Sequence, residues 1–182
     1  MNITVFGGAQ PQPGSTAYDE AYRLGKMLAE RGHAVLTGGY IGTMEAVSRG
    51  ASEAGGHVIG VTSEDIENWR KVGANAWVKE ERRKKRLLER LEGLIYGCEA
   101  AIALPGGPGT LTEIALMWNL MIVESLPRRP LILVGDGWQS IFDQVFQSTG
   151  EYTSFSAKEL LLFAKDVESA VALIDNSLFD TR

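Results

Sequence analysis

The glycine-rich stretch that follows residues 100–104 is the pattern in this chain best suited to binding an anion. Residues 100–104 form an apolar run that predicts a buried strand, and three glycines follow it: Gly106, Gly107 and Gly109. A helical pattern then begins at Thr110. Glycines let the backbone approach a ligand closely, and the free N–H groups of a first helical turn attract negative charge. The pattern favours a phosphate site over its alternative, a tight strand-to-helix connection that binds nothing.

One carboxylate, that of Glu113, lies beside this predicted anion site. The sequence Thr110-Leu-Thr-Glu113 also matches a capping box, in which Glu113 reaches back to the backbone N–H of Thr110 and serves only the helix. The other reading is that the carboxylate faces a ligand. Spacing alone leaves both roles open.

An arginine on the preceding predicted helix can reach the same place. An apolar stripe runs through Leu87, Leu91 and Leu94, and Arg90 lies at its border when each residue turns the helix by about 100°. Such an arginine can extend into solvent, or it can point at a phosphate or at a carboxylate such as Glu113. Arg90 is the arginine that we select as a candidate site residue.

Strand and helix patterns alternate along the chain and determine where these residues lie. Strands are predicted at residues 3–6, 34–37, 57–61, 76–78, 100–104, 130–134 and 160–163. Helices are predicted at residues 18–28, 43–54, 80–97, from 110, at 138–147 and at 166–174. Such alternation predicts an α/β fold, a single doubly wound Rossmann-like domain over residues 1–182 with a mostly parallel sheet.

Three of the predicted strands end in pairs of glycines. The pairs are Gly7-Gly8, Gly38-Gly39 and Gly106-Gly107. Because ligands of open α/β sheets bind beyond the carboxyl ends of the strands, we expect a crevice in which backbone meets ligand. The alternative is that each pair only eases a turn.

Composition and missing motifs exclude several classes of protein. A net charge of −5 and a pI near 5.1 argue against a nucleic-acid binder. With Cys98 the only cysteine, and with His33 and His57 at predicted turns away from the crevice, no metal site or Cys–His or Ser–His catalysis is predicted. The dinucleotide, P-loop and nucleophile-elbow motifs are missing. No apolar run approaches about 18 residues and no signal peptide is seen, so we expect a soluble cytoplasmic protein without a membrane partner.

Several motifs together resemble one known family. The run Pro105-Gly-Gly-Pro-Gly-Thr-Leu-Thr-Glu113 resembles the PGGxGTxxE signature of the LOG (Lonely Guy) family, often mislabelled as lysine decarboxylases. The run Gly38-Gly-Tyr-Ile-Gly42-Thr-Met44 is similar to the second glycine motif of that family, and residues 55–61 to its third strand. The resemblance implies a Rossmann-like homodimer that hydrolyses the N-glycosidic bond of nucleoside 5′-monophosphates. It implies no metal and no organic cofactor.

The resemblance also implies roles for particular residues. The catalytic arginine and glutamate of the family fall here on Arg90 and Glu113. The glycine motifs would hold the phosphate and the rest of a small-molecule nucleotide. These residues are Gly7, Gly8, Gly38, Gly39, Gly42, Thr43, Met44, Pro105, Gly106, Gly107, Gly109 and Thr110.

Two departures from the family pattern suggest a second function. Cytokinin-activating members usually carry a lysine and a further glutamate where this chain has Leu91 and Thr112. The second glycine motif is more similar to that of a related branch that includes molybdenum-cofactor carrier proteins. The alternative to the hydrolase is therefore a non-catalytic carrier of a nucleotide or of a molybdenum-type cofactor.

The helix after the glycine-rich turn bears on the expected homodimer. Between residues 111 and 123 only Thr112, Glu113 and Asn119 are polar, so this helix must be buried on more than one side. A partner chain can cover the side that does not pack on the sheet. Neighbouring helices of the same chain are the alternative cover.

Overall fold

Seven parallel strands form one sheet in the order β4-β3-β2-β1-β5-β6-β7. The computed structural model describes residues 1–177. The strands are β1 (Asn2–Phe6), β2 (Ala34–Thr37), β3 (Val58–Ser63), β4 (Glu80–Lys84), β5 (Ala100–Ala103), β6 (Leu131–Val134) and β7 (Leu162–Ala164).

Eight helices in the described residues connect and cover these strands. They are α1 (Thr16–Glu30), α2 (Thr43–Glu53), α3 (Glu64–Arg70), α4 (Leu87–Tyr96), α5 (Pro108–Ile122), α6 (Asp136–Thr149), α7 (Phe155–Lys158) and α8 (Val167–Ser177). Helices α1, α2 and α8 pack on one face of the sheet, and α4, α5 and α6 pack on the other. Central strands are buried on both faces, so that Leu131 and Leu133 join one core while Ile132 and Val134 join the other. The predicted doubly wound α/β fold is confirmed.

The chain order of the strands reverses beside β1. From β1 the chain adds β2, β3 and β4 on one side, and it then returns to add β5, β6 and β7 on the other. The carboxyl ends of β2, β1 and β5 are therefore neighbours at one edge of the sheet. This is the kind of switch point at which open α/β sheets bind ligands.

The region between residues 76 and 97 differs from its sequence-based prediction. The strand predicted at 76–78 is wrong, because this segment forms a turn in which the side chain of Asn75 accepts a hydrogen bond from the backbone of Trp77. The helix predicted from Glu80 is also wrong in its first turns, since Glu80–Lys84 pairs with β3 and α4 begins at Leu87. A sheet edge tolerates charged side chains on both faces of a strand, and β3 supplies hydrogen-bond partners that outweigh the helical preference of this charged run.

The single cysteine and the two histidines differ in how far they are buried. Cys98 is buried, as expected, and its thiol donates to the carbonyl of Ile95. His33 is buried, whereas His57 is exposed and pairs with Glu80. Within residues 1–177, no helix is both long enough and apolar enough to cross a membrane.

Candidate active site

Helix α5 begins directly at the glycine-rich turn that follows β5. Its first residue is Pro108, and Gly107 is the N-cap without a side-chain capping bond. Of the two roles that spacing leaves open for Glu113, the capping box with Thr110 is therefore excluded, because the fixed φ of Pro108 starts the helix two residues before Thr110. Thr110 and Glu113 both lie inside the first turns, which leaves the carboxylate free for another partner.

Glu113 points into the protein and is paired with Arg90. Its side chain is 9% exposed, and Oε1 lies 3.6 Å from Nη1 of Arg90. Burial raises the pKa of Glu113 to about 7, and the positive charge of Arg90 opposes this rise. At 3.6 Å the pair is an ion pair rather than a close hydrogen bond. Glu113 can therefore hold or release a proton near neutral pH.

Arg90 is buried and held from several sides. Its Nε donates to the carbonyl oxygen of Val61 at 2.8 Å, and its guanidinium lies 5.6 Å from the centre of the Tyr40 ring. The option of extending into solvent is therefore wrong for this arginine. Burial lowers the pKa of Arg90, and Glu113 opposes that effect. An arginine still stays charged, since its ordinary pKa lies far above neutrality.

The glycine pair after β2 makes room for this arginine. A Cβ on Gly38 would lie 1.9 Å from Nη2 of Arg90 and 2.6 Å from Sδ of Met44. Gly39 adopts a φ of +77°, and a Cβ there would lie 3.3 Å from Cα of Gly60. This turn therefore accommodates a side chain of the protein itself.

The glycines after β1 pack against the start of α2. Both the backbone N–H and the hydroxyl of Thr43 donate to the carbonyl of Gly8, at 2.9 and 3.0 Å. A Cβ on Gly7 would lie 2.3 Å from Oγ1 of Thr43, and one on Gly42 would lie 2.5 Å from the same Gly8 carbonyl. Close packing against Thr43 and against the Gly8 backbone thus explains Gly7 and Gly42.

The glycine-rich turn after β5 is closely packed at Gly106 and open at Gly107 and Gly109. Pro105 accepts a hydrogen bond from the backbone of Gly8, and a Cβ on Gly106 would lie 2.1 Å from Oγ1 of Thr110. A Cβ on Gly107 or Gly109, in contrast, would meet no atom within 4 Å. The first N–H groups of a helix have no partner within it. The open part of the turn therefore coincides with the helix end that attracts anions.

Cavities near α5 in the described residues differ in whether they adjoin this turn. A cleft of about 110 Å³ lies beside the turn and is lined by Pro105, Gly106, Val134, Gly137, Trp138 and Ile141. A larger one of about 380 Å³ lies at the other end of α5, and no predicted site residue lines it. Among residues 1–177, no group of three or more His, Cys, Asp or Glu side chains is placed to hold a metal ion.

Sequence reasoning missed the part that Tyr40 and Val61 have in this site. Tyr40 lies within the second glycine motif, and the resemblance to the LOG family gives it no role. The available signal was a bulky aromatic residue among glycines at a strand end. Val61 contributes only its carbonyl oxygen, which no side-chain pattern reveals.

Comparison with known proteins assigns the family. The model of the SLOG cluster4 family matches residues 1–161. The chain belongs to this family. A rice (Oryza sativa subsp. japonica) protein named cytokinin riboside 5′-monophosphate phosphoribohydrolase LOG is 35% identical over 128 residues, which are 69% of this chain and 52% of the rice protein. The membership in the LOG family predicted from the motifs is confirmed, and this SLOG chain spans about half the length of that relative.

Solved structures similar to this SLOG chain include two proteins that are named for the molybdenum cofactor. The molybdenum cofactor binding protein from Rippkaea orientalis superposes with a TM-score of 0.75 at 26% identity, over 97% of this chain and 96% of that one. The molybdenum cofactor carrier protein from Chlamydomonas reinhardtii gives a TM-score of 0.73 at 26% identity, over 97% of each chain. Both named functions, hydrolase and carrier, thus occur among proteins similar to this one.

Proposed function

We propose that this chain hydrolyses the N-glycosidic bond of nucleoside 5′-monophosphates and releases the free base and ribose 5-phosphate. The observation that carries the proposal is the buried pair of Glu113 and Arg90, with the pKa of Glu113 raised to about 7. A carboxyl group with a pKa near the working pH is suited to general acid–base chemistry. The names of the relatives support the same reaction class.

In this reaction, the bond between C1′ of ribose and a nitrogen of the base breaks. The oxygen of water bonds to C1′, and one proton of that water ends on the departing nitrogen. Positive charge develops on the ribose in the transition state, and the ionised carboxylate of Glu113 stabilises it and takes a proton from water. Arg90 keeps a fraction of Glu113 ionised and holds its orientation.

The 5′-phosphate binds at the open N-terminus of α5. In this proposal the N–H groups of Gly107, Gly109 and Thr110 hold the phosphate, and binding energy from this remote group positions the ribose over Glu113. The open space at the two glycines supports this placement. The remaining predicted nucleotide-binding residues stay part of the proposal as the walls of the crevice: Gly7, Gly8, Gly38, Gly39, Gly42, Thr43, Met44, Pro105 and Gly106.

A chromatographic assay of the purified protein tests the proposal. AMP, GMP, CMP, UMP and isopentenyl-AMP are offered, and free base is measured. We expect base release that is lost in Glu113→Gln and in Arg90→Ala and kept in Glu92→Gln, a change at an exposed glutamate on α4. Turnover like that of the wild type in either site variant would refute the catalytic pair.

A second candidate function is a carrier that binds a nucleotide or a molybdenum-type cofactor without cleaving it. Similarity over 97% of this chain to the two solved proteins named for that cofactor favours it. The carrier predicts saturable binding of ligand at one site per chain, with no product and with binding retained in Glu113→Gln. Rapid base release by the pure wild-type protein would exclude it.

We also propose that the protein is a homodimer through the exposed side of α5. Neighbouring α6 contacts this helix where the ring of Trp118 packs edge-on against that of Phe142. Leu111 and Ile122 of α5 nevertheless stay 41 and 40% exposed, and Val123, directly after the helix, is 57% exposed. An apolar side of this kind is buried more favourably by a second copy than by water.

Light scattering coupled to size-exclusion chromatography tests the dimer. We expect twice the chain mass of 19.8 kDa at micromolar concentration, and the mass of a single chain in Ile122→Glu. The exposed Ile141→Glu on α6 serves as the control and should leave the mass unchanged. A wild-type protein with the mass of one chain would contradict the dimer.

A further inference from the structure

Tyr40 is the largest of the fully buried side chains in the described residues, and it lies in the turn after β2. Its hydroxyl accepts from the backbone N–H of Ser63 at 2.7 Å and donates to the carbonyl of the same residue at 3.1 Å. Burial raises the pKa of Tyr40, so the hydroxyl stays protonated at neutral pH and can make both bonds. Tyr40 thereby connects the ends of β2 and β3.

The ring of Tyr40 lies against the guanidinium of Arg90. The separation of 5.6 Å is within the range of a cation–π contact, which is stronger when the cation is shielded from water. The acceptor of Arg90 Nε is Val61, two residues before Ser63 on the same strand. Tyr40 therefore contacts the face of the guanidinium with its ring. Its hydroxyl also holds β3, the strand whose Val61 carbonyl accepts from Nε of Arg90.

The backbone of this turn is fixed independently of the arginine. Asn75 donates from its side chain to the carbonyl of Tyr40 at 2.9 Å, and its backbone N–H donates to the carbonyl of Gly39 at 2.7 Å. Gly38 leaves the space that Nη2 of Arg90 occupies. The turn is thus shaped to receive the arginine.

We propose that Tyr40 is a positioning residue, which holds Arg90 in the orientation that pairs it with Glu113. The catalytic part of this inference rests on the proposed hydrolase, but the placement of the arginine does not. Charged or titratable groups that influence Arg90 come from α5 (Glu113), from α3 (Arg70) and from Tyr40 itself. Since the long stem of an arginine has many rotamers, the ring selects one of them.

Nuclear magnetic resonance tests the placement without any substrate. The Nε–H signal of Arg90, identified by its loss in Arg90→Lys, reports the bond to Val61. A carbon-13 titration of the Glu113 carboxyl measures the pKa of Glu113, which the positive charge of Arg90 lowers. Tyr40→Phe keeps the ring, whereas Tyr40→Met fills similar space without one. Phe142→Met, at a buried ring in the core between β6 and α6, controls for loss of an aromatic residue.

We expect Tyr40→Phe to keep the Arg90 signal and the Glu113 pKa while its unfolding midpoint falls. Tyr40→Met should lose the Arg90 signal and raise the Glu113 pKa above that of the wild type, because Arg90 no longer lowers it. Its kcat should fall about 100-fold at unchanged KM, since misplacement by about 1 Å can cost that much.

Two results would overturn the inference. One is a Tyr40→Met protein with the Arg90 signal and the Glu113 pKa of the Phe142→Met control. The other, decisive if Tyr40→Met does not fold, is a folded Tyr40→Leu protein, which also lacks the ring, that keeps the Arg90 signal and the Glu113 pKa of the wild type. If the wild type releases no base, the proposed hydrolase fails, and the two spectroscopic measurements still decide the role of Tyr40.

Discussion

Two glycine-rich turns of this protein look alike in sequence and differ in what they surround. Residues 38–44 follow β2 and residues 105–110 follow β5, and each leads into a helix. The first turn encloses the guanidinium of Arg90, while the second opens to solvent at Gly107 and Gly109. A glycine-rich strand end can therefore serve an internal cation as well as an external anion. Which of the two it serves depends on the side chains that other elements bring to it.

The largest effect should follow from removing the cation that occupies the first turn. Arg90→Ala leaves Glu113 buried without its countercharge, and such losses cost about 3–5 kcal/mol. Urea unfolding at pH 8 measures this free energy. The double variant Arg90→Ala/Glu113→Gln should recover most of it, because no charge then remains buried. Equal stability of Arg90→Ala and the wild type would mean that the pair does not matter to the fold.

The pH dependence of stability reports the same pair in the unaltered fold. The pKa of Glu113 is raised from 4.5 to about 7, so its contribution is fully present below pH 4.5 and is lost as the pH rises to about 7. Relative to Glu113→Gln, the wild type should lose on the order of 3 kcal/mol across this range. Unfolding at several pH values measures the slope. The free energy of unfolding of Glu92→Gln should change with pH as that of the wild type does. The same pH dependence in Glu113→Gln would contradict the raised pKa.

A methyl group in the first turn should displace the arginine. The Cβ of Gly38→Ala would lie 1.9 Å from Arg90, and overpacking of this kind costs about 1–3 kcal/mol. Thermal unfolding measures the loss, and the base-release assay should show little activity. Full stability together with full activity would show that the arginine can move aside freely.

The same methyl group in the second turn should have the smallest effect on stability. Gly109→Ala meets no atom within 4 Å, and alanine favours a helix over glycine by about 1 kcal/mol, so the protein should be as stable as the wild type or slightly more. The affinity of Gly109→Ala for AMP should nevertheless fall, because the methyl group occupies the space in which we propose that the phosphate binds. Calorimetric titration measures this, and unchanged affinity would argue against phosphate at this helix end.

Much of the fold and part of the site were predictable because they depend on local patterns. Buried parallel strands are short apolar runs, and glycine pairs mark where they end, so the parallel sheet was predicted correctly. The segment 76–86 was not, since β4 exists only because β3 offers it an edge. Helix α5 starts two residues before its predicted start, because Pro108 rather than a polar cap begins it, and this start excludes the capping role that spacing left open for Glu113.

The sequence by itself determined the parallel α/β architecture, the family, and the presence of an arginine and a glutamate on the helices that flank β5. The architecture and the helices follow from periodicity and turn chemistry, which act over a few residues, and the family follows from the resemblance of the glycine motifs to those of known members. Only the tertiary structure decided that Arg90 fills the turn after β2, that Tyr40 lies against it, and that the Glu113 pKa is near neutrality. These features arise where several elements together exclude water from two charges, and no single segment carries that information.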